Sequence, residues 1–142
     1  NELETNVQNE LQDAIYKTKN NTGLNLNLAL NYGSRQEIIC AIKKLAEKVL
    51  EGEIIVEDID EYHFSKFLYT RDIPDPDLII RTGGEFRISN FLLWQIAYTE
   101  IHVTDTSWPS FGKKELTEAI YEYQKRERRF GKISDQLKVN NG

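Results

Sequence analysis

Residues 78–95 read LIIRTGGEFRISNFLLWQ, and this stretch decides the predicted fold. The continuous apolar run LIIR is typical of a strand that is covered on both faces. Two glycines follow it, and the next apolar run predicts a helix from about residue 89 to residue 98, with Ser89 or Asn90 as its N-cap. Strand, glycine loop and helix form one unit of an open parallel sheet, in which ligands bind beyond the carboxyl ends of the strands.

The segments on both sides of this unit alternate between helix and strand patterns. Apolar residues at every fourth position from Leu3 to Ile15 predict an opening helix, and the period-two pattern LNLNLAL predicts a strand over residues 24–30. Ser34 and Glu37 have capping-box spacing at the start of a second helix. Further patterns predict a short helix over 58–68, a strand over 100–105 and a helix over 113–130. We therefore predict a single α/β domain whose largely parallel sheet is flanked by helices.

The composition limits the class of protein. The 142 residues carry a formal net charge of −5, which gives no general attraction to nucleic acid, so no nucleic-acid partner is predicted. A single cysteine excludes an internal disulfide. No apolar run is long enough to span a bilayer, so a cytoplasmic location is predicted. The sequence contains no methionine and opens inside a helical pattern, from which we expect a piece of a longer protein that lacks its N-terminal part.

The loop between the predicted strand and helix carries residues suited to an anion. Arg81 and Arg87 provide permanent charges whose planar donors match phosphate oxygens. Gly83 and Gly84 would let the backbone approach closely, and the helix N-terminus would add free N–H groups. The spacing matches neither a dinucleotide fingerprint nor a Walker loop, so a phosphorylated ligand other than a nucleotide is favoured. The alternative is a solvated loop in which Arg87 merely pairs with Glu85.

The chain resembles the cis-prenyltransferase family, in particular bacterial undecaprenyl diphosphate synthases. Three segments carry the resemblance in the family's order, namely PDPDLIIRTGGEFRISNFLLWQIAYTEIHVTDTSWPSF at 74–111, ALNYGSRQEI at 29–38 and QKRERRFG at 124–131. The resemblance covers residues 24–131. It implies the α/β fold of these synthases, incomplete at the N-terminus, with residues 1–142 as the C-terminal part of one domain and 132–142 as a flexible tail.

The resemblance implies an enzyme that condenses isopentenyl diphosphate repeatedly onto an allylic prenyl diphosphate, forms cis double bonds and requires Mg²⁺. The product would be a long-chain, undecaprenyl-type diphosphate carrier lipid for cell-wall biosynthesis, made by a homodimer and delivered to the membrane. The enzyme would be cytoplasmic, with peripheral attachment to the membrane left open. Two alternatives remain, namely a non-catalytic partner subunit of a heteromeric cis-prenyltransferase and a phosphate-sensing binding module.

The resemblance also assigns roles to individual residues. Those expected to hold the diphosphate of isopentenyl diphosphate are Arg81, Arg87, Ser89, Arg129 and Gly131, the last two reaching across the dimer. Glu85 would support them, and Glu100 would bind Mg²⁺. Without the resemblance, Glu100 is a surface residue, and the basic residues near Arg129 simply stabilise a helix end. Because Glu100 begins a predicted strand, whether it acts within its own subunit or across the dimer stays open.

One family motif does not occur in this sequence. It is the loop Asp-Gly-Asn-x-Arg-Trp-Ala, which carries the aspartate central to Mg²⁺ and diphosphate chemistry in the family. No catalytic residue is therefore assigned here, and the catalytic aspartate is expected upstream. We expect these 142 residues alone to be inactive.

Overall fold

The computed structural model describes residues 3–126. The chain divides into two compact units, with the boundary between Tyr32 and Gly33. In the described part of the chain, no helix has the length and apolar character needed to cross a lipid bilayer.

The first unit contains one helix and a segment without regular structure. Helix α1, Thr5–Thr18, confirms the predicted opening helix, and none of its residues is buried. The strand predicted at 24–30 is wrong, because these residues form no strand and Leu24 is 93% exposed. A strand needs hydrogen bonds to a neighbouring strand. No residue between 3 and 126 pairs with this segment, so its alternating pattern does not suffice.

The second unit begins with helix α2, Ser34–Leu50. The helix starts where predicted, but the predicted capping box is wrong, because Gly33 occupies the N-cap position. Ser34 and Glu37 are both fully buried and use their side chains elsewhere. The helix ends shortly before Gly52, whose φ of +73° is a conformation that glycine adopts readily.

A small apolar core forms between α2 and the segment that follows it. A 3-10 turn at Val56–Asp58 leads to helix α3, Glu61–Ser65, which is shorter than predicted. The Asp60 carboxylate caps α3 by accepting from the His63 N–H at 2.7 Å. Four buried apolar side chains form the core, namely Ala41, Leu45, Phe64 and Leu68. The ring of Trp94 packs against this core, with its centroid 4.4 Å from that of Phe64.

The two strands predicted for this unit are confirmed, and they pair in parallel. Strand β1 is Leu78–Arg81 and strand β2 is Glu100–Val103. Leu78 lies opposite Glu100, and Arg81 lies opposite Val103. The carboxyl ends of both strands therefore lie at the same edge of the sheet. The four residues of β1 are partly exposed, although its apolar run predicted a strand covered on both faces.

The helix predicted at 89–98 is wrong. These residues form a series of turns, and Ser89, Asn90 and Leu92 have φ values of 51°, 62° and 47°. Non-glycine residues stay in this left-handed region only when surrounding contacts hold them there. Asn90 provides such contacts, since its backbone carbonyl accepts from the Ser34 N–H and its Oδ1 accepts from the Arg35 N–H, both at 2.9 Å. Asn90 therefore caps α2 instead of starting a helix of its own.

Helix α4, Lys113–Gln124, closes the described part of the chain. A 3-10 turn at Trp108–Ser110 precedes it, and the Glu115 carboxylate accepts from the Gly112 N–H at 2.9 Å, which secures the first turn. A polar side-chain contact joins α4 to β2, with 3.0 Å between His102 Nδ1 and Glu122 Oε2. The remainder of the predicted helix, residues 127–130, lies outside the described residues.

Candidate anion-binding site

Arg81 stands at the carboxyl end of β1, where the sheet edge meets the glycine loop. Its carbonyl accepts from the Thr104 N–H at 2.9 Å, which extends the parallel pairing one step beyond β2. The Arg81 Nε is buried, and it has no hydrogen-bond partner within the described part of the chain. A buried guanidinium nitrogen without a partner is costly, so this atom is suited to an acceptor that arrives with a ligand.

The two glycines after Arg81 give the loop its shape and do not offer free donors. Gly83 and Gly84 have φ values of +80° and +70°. Their N–H groups donate to the carbonyls of Thr106 and Thr104, at 3.0 and 2.9 Å. The predicted helix N-terminus at residue 89 is absent, and the Gly83 and Gly84 amides are used within the protein, so neither supplies free N–H donors to an anion.

Arg87 lies on the far side of the loop and forms an ion pair with Glu85, through Nη1 and Oε2. The side chains of Arg87 and Glu85 are 65% and 42% exposed. An exposed pair of this kind contributes only about 0–1 kcal/mol to stability. The Arg87–Glu85 ion pair that a solvated loop would contain is thus present. Because the pair is weak, the Arg87 guanidinium stays available to a stronger anionic partner.

Arg81 and Arg87 line the same cavity, which has a volume of about 410 Å³ and also includes Glu85. Two guanidinium groups against one carboxylate leave an excess of one positive charge. The other lining residues are apolar: Ile79, Ile80, Phe86, Ile88, Phe91, Ile101 and Val103. The cavity therefore combines a cationic part with an apolar wall, an arrangement suited to an anionic group attached to a hydrocarbon.

Sequence reasoning missed this apolar wall, although the strand patterns contain the signal. Side chains alternate across a strand, so residues 79 and 81 share one face of β1, as residues 101 and 103 do on β2. Parallel register places Ile79 beside Ile101 and Arg81 beside Val103. Knowing that register would have predicted an apolar surface next to the Arg81 guanidinium.

Of the remaining predicted diphosphate-binding residues, only Ser89 lies in the described part of the chain. Ser89 is exposed and is not part of the lining, and its φ of 51° places it in a turn. Arg129 and Gly131 lie outside the described residues. The structure therefore groups Arg81, Glu85 and Arg87, and it leaves the roles of the other residues as predictions.

Glu100 lies at the opposite end of the sheet from Arg81. It is paired with Leu78, three positions before the Arg81–Val103 pair, or about 10 Å along the strands at the usual rise of ~3.3 Å per residue. Its carboxylate pairs with the Arg126 guanidinium at 2.8 Å. Between residues 3 and 126, no group of three or more His, Cys, Asp or Glu side chains could hold a metal ion. The described residues therefore do not form a complete Mg²⁺ site.

The fold and the cavity together define an α/β protein with a cavity, lined by two arginines, at the carboxyl edge of a parallel strand pair. The sequence profile of the family described as "Putative undecaprenyl diphosphate synthase" matches residues 1–131. The chain thus belongs to the undecaprenyl diphosphate synthase family of prenyltransferases, which confirms the resemblance seen in the sequence.

Individual relatives agree with this assignment. The chain is 59% identical to the isoprenyl transferase of Heliobacterium mobile over 124 residues, which are 87% of this chain and 48% of that protein. It is 50% identical to the isoprenyl transferase of Oceanobacillus iheyensis over 133 residues, which are 94% of this chain and 53% of that protein. The chain spans about half the length of these curated relatives.

Two solved structures confirm the fold class. Lavandulyl diphosphate synthase from Lavandula x intermedia, solved in complex with dimethylallyl diphosphate, superposes with a TM-score of 0.88 at 39% sequence identity. The match covers 92% of this chain and 56% of the synthase chain. A "probable undecaprenyl diphosphate synthase" from Campylobacter jejuni superposes with a TM-score of 0.76 at 40% identity and covers 92% and 59%. The prediction of an α/β fold like that of the synthases is confirmed.

Proposed function

We propose that this chain is the part of an undecaprenyl-type cis-prenyltransferase that binds isopentenyl diphosphate. The whole enzyme would add isopentenyl diphosphate repeatedly to an allylic prenyl diphosphate and would yield a long-chain carrier lipid. The observation that carries the proposal is that Arg81 and Arg87 line one cavity whose lining is otherwise apolar apart from Glu85. We further propose a cytoplasmic homodimer that passes its product to the membrane.

The cavity matches both parts of this substrate. The guanidinium groups of Arg81 and Arg87 would bind the diphosphate through charge-assisted hydrogen bonds, and the buried Arg81 Nε would gain its missing acceptor. The isopentenyl group would lie against apolar side chains such as Ile101 and Phe91. Lavandulyl diphosphate synthase, a related structure, is solved with dimethylallyl diphosphate, which is likewise a prenyl diphosphate.

The proposed reaction requires two anionic substrates to be held close together in a fixed orientation. The alkene carbon of isopentenyl diphosphate forms a bond to the first carbon of the allylic partner, whose carbon–oxygen bond breaks and releases diphosphate. Loss of a proton from the new chain then forms the cis double bond. Arg81 and Arg87 would hold the diphosphate that is retained, so that the alkene is aligned for attack. The product is again an allylic diphosphate and can enter another round.

Other residues complete the proposed site. Glu85 would orient the Arg87 guanidinium through their ion pair, and Ser89, Arg129 and Gly131 would contribute further diphosphate contacts. Bound Mg²⁺ would neutralise diphosphate charge. Because Glu100 lies at the opposite end of the sheet from Arg81, it would supply an oxygen ligand to the ion at the partner subunit's site. The remaining ligands would come from the substrate or from residues outside 3–126.

Calorimetric titration of the chain tests ligand class and site together. Isopentenyl diphosphate should bind more tightly than inorganic diphosphate, because burial of its hydrocarbon adds about 0.8 kcal/mol per CH₂ group. Inorganic phosphate and a nucleoside diphosphate should bind more weakly still. Arg87→Gln should weaken binding at least about tenfold, since a charge-assisted hydrogen bond contributes roughly 1.5–3 kcal/mol.

The control is Arg71→Gln, which removes an exposed arginine whose ion pair with Asp72 lies outside the cavity lining. This variant should bind like the wild type. Equal affinity for phosphate and isopentenyl diphosphate would instead favour the phosphate-sensing module, and equal losses in both variants would reject a specific arginine site.

We expect activity to require a longer protein, which a chimera provides. We propose to join the half of the Heliobacterium mobile isoprenyl transferase that this chain does not match to residues 1–142. Incorporation of labelled isopentenyl diphosphate by the chimera, with none by the 142-residue chain, is the expected result. A folded chimera that binds isopentenyl diphosphate without turnover would favour the non-catalytic partner subunit.

A further inference from the structure

The most completely buried polar side chains in the described structure lie outside the cavity. Ser34 and Glu37 are fully buried on the first turns of α2, and Gln95 is 97% buried, with 3% of its surface exposed. Burial of a carboxylate is costly unless its oxygens receive hydrogen bonds. Neither the core nor the proposed diphosphate contacts require a carboxylate at this place.

The hydrogen bonds of Glu37 join two separate segments to α2. Its Oε1 accepts from the Tyr69 N–H at 2.7 Å, and its Oε2 accepts from Gln95 Nε2 at 3.3 Å. Gln95 Nε2 also donates to Thr70 Oγ1 at 2.9 Å. Ser34 adds a second connection, because its Oγ accepts from the Leu93 N–H at 2.9 Å.

These bonds hold the segment that carries one wall of the cavity. Residues 90–95 are fixed to α2 at Asn90, Leu93 and Gln95, and Phe91, between the first two anchors, lines the cavity. Arg87 lies only three residues before Asn90. The left-handed turns at 89–92 have no helix to support them, so their shape depends on these anchors.

We propose that Glu37 is a positioning residue for the anion site. By holding Gln95 and Tyr69 it fixes residues 90–95 on α2, which sets the place of Phe91 in the cavity wall and the distance from which Arg87 reaches the ligand. Ser34 supports the same segment through Leu93. This inference rests on the proposed function, since the ligand it would position is isopentenyl diphosphate.

Exchange of donor and acceptor tests the role of the Glu37–Gln95 bond. Glu37→Gln keeps an acceptor for the Tyr69 N–H but turns a donor toward Gln95. Rotation of the Gln95 amide to accept this donor would bury its NH₂ group where Oε1 has no partner in the described residues, so affinity for isopentenyl diphosphate should fall about tenfold in either case. Glu37→Gln combined with Gln95→Glu restores the pair with its roles reversed, and Thr70 can donate to the new carboxylate. The double variant should recover most of the affinity.

Ala119→Gly is the control for a loss of stability alone. Ala119 is fully buried in α4 and takes no part in the hydrogen bonds of Ser34, Glu37 and Gln95, so this variant should lower Tm and leave the affinity of the folded protein unchanged. Ser34→Ala, which removes only the acceptor of the Leu93 N–H, should weaken binding less than Glu37→Gln does. Wild-type affinity in folded Glu37→Gln, equal losses in Ala119→Gly, or no recovery in the double variant would each overturn the proposal.

Hydrogen exchange separates this proposal from the proposed function. In the absence of ligand, Glu37→Gln should accelerate amide exchange over residues 85–93 relative to Ala119→Gly, and Ser34→Ala should do so in part. If the wild type fails to bind isopentenyl diphosphate, the proposed function fails, while faster exchange in Glu37→Gln still supports the bracing role. Unchanged exchange in both Glu37→Gln and Ser34→Ala would overturn it.

Discussion

Single residues determine the shape of the loop that presents the arginines. Gly83 and Gly84 occupy left-handed conformations, and their N–H groups are tied to the segment that follows β2. A Cβ atom at position 84 would lie 2.7 Å from Asp105 Oδ1, whereas a Cβ at position 83 would meet nothing within 4 Å. The two glycines therefore differ in their surroundings while sharing a left-handed backbone conformation that would strain any other residue.

The matched substitutions Gly83→Ala and Gly84→Ala separate strain from steric contact. Gly83→Ala should destabilise the protein by about 1–2 kcal/mol, the penalty for an L-residue in the left-handed region. Gly84→Ala should cost up to about 3 kcal/mol, because the close approach of Asp105 adds to that strain. Urea unfolding measures both, and Asp105→Ala in the Gly84→Ala background should remove most of the difference. Equal losses in the two single variants would contradict this account.

At this scale the sequence predicted chemistry better than orientation. Arg81 and Arg87 were assigned to one anion site from their residue type and their place after an apolar run, and the structure does bring them to one cavity. Ser89 was assigned from the family motif, yet its backbone lies in a left-handed turn and it is exposed. Residue type reports which bonds a side chain can make, whereas its direction depends on backbone angles set by distant contacts.

Helix α3 shows how one cap can stabilise a short element. The Asp60 carboxylate accepts from the His63 N–H, and this hydrogen bond lowers the pKa of Asp60 below its ordinary value of 3.8. A carboxyl group whose pKa is lower in the folded state stabilises that state above its unfolded pKa. The contribution is lost as the pH falls through the lower, folded pKa.

Thermal unfolding of Asp60 variants across pH tests this cap. Asp60→Ala should lower Tm at neutral pH, and Asp60→Asn should lower it less, because asparagine can still accept from the His63 N–H. The advantage of wild type over Asp60→Asn should shrink as the pH falls below 3.8. A difference that does not change in acid would show that the ionised carboxylate is not the stabilising group.

At the scale of elements, a prediction succeeded where long-range hydrogen bonds did not oppose the local sequence pattern of the element. The strands β1 and β2 were predicted correctly, because the two apolar segments pair with each other in parallel. Residues 89–98 have a helical apolar pattern, but Asn90 and Leu93 bond to α2, and these long-range bonds override local propensity. The alternating residues 24–30 lack a described partner strand and therefore remain without regular structure.

The stability of the second unit depends on a small core that is separate from the cavity. Leu68 is 1% exposed, and it packs with Ala41, Leu45 and Phe64. None of these four side chains lines the cavity. Stability and ligand binding should therefore respond to different substitutions.

Leu68→Ala and Leu50→Ala test this separation. Leu68→Ala should cost about 2–5 kcal/mol, because it removes transfer energy and leaves a void in the core. Leu50 is 88% exposed at the end of α2, so Leu50→Ala should change stability by no more than about 0.5 kcal/mol. Denaturant unfolding provides both values. A small loss for Leu68→Ala would mean that the second unit is not held by this core.

For the molecule as a whole, the central claim is that both arginines bind one prenyl diphosphate. The most direct test is a crystal structure of the chain with isopentenyl diphosphate. We predict diphosphate oxygens within hydrogen-bond distance of both the Arg81 and Arg87 guanidinium groups, with the isopentenyl group against Ile101 and Phe91. A diphosphate bound elsewhere, or bound in contact with only one of the two arginines, would contradict the account.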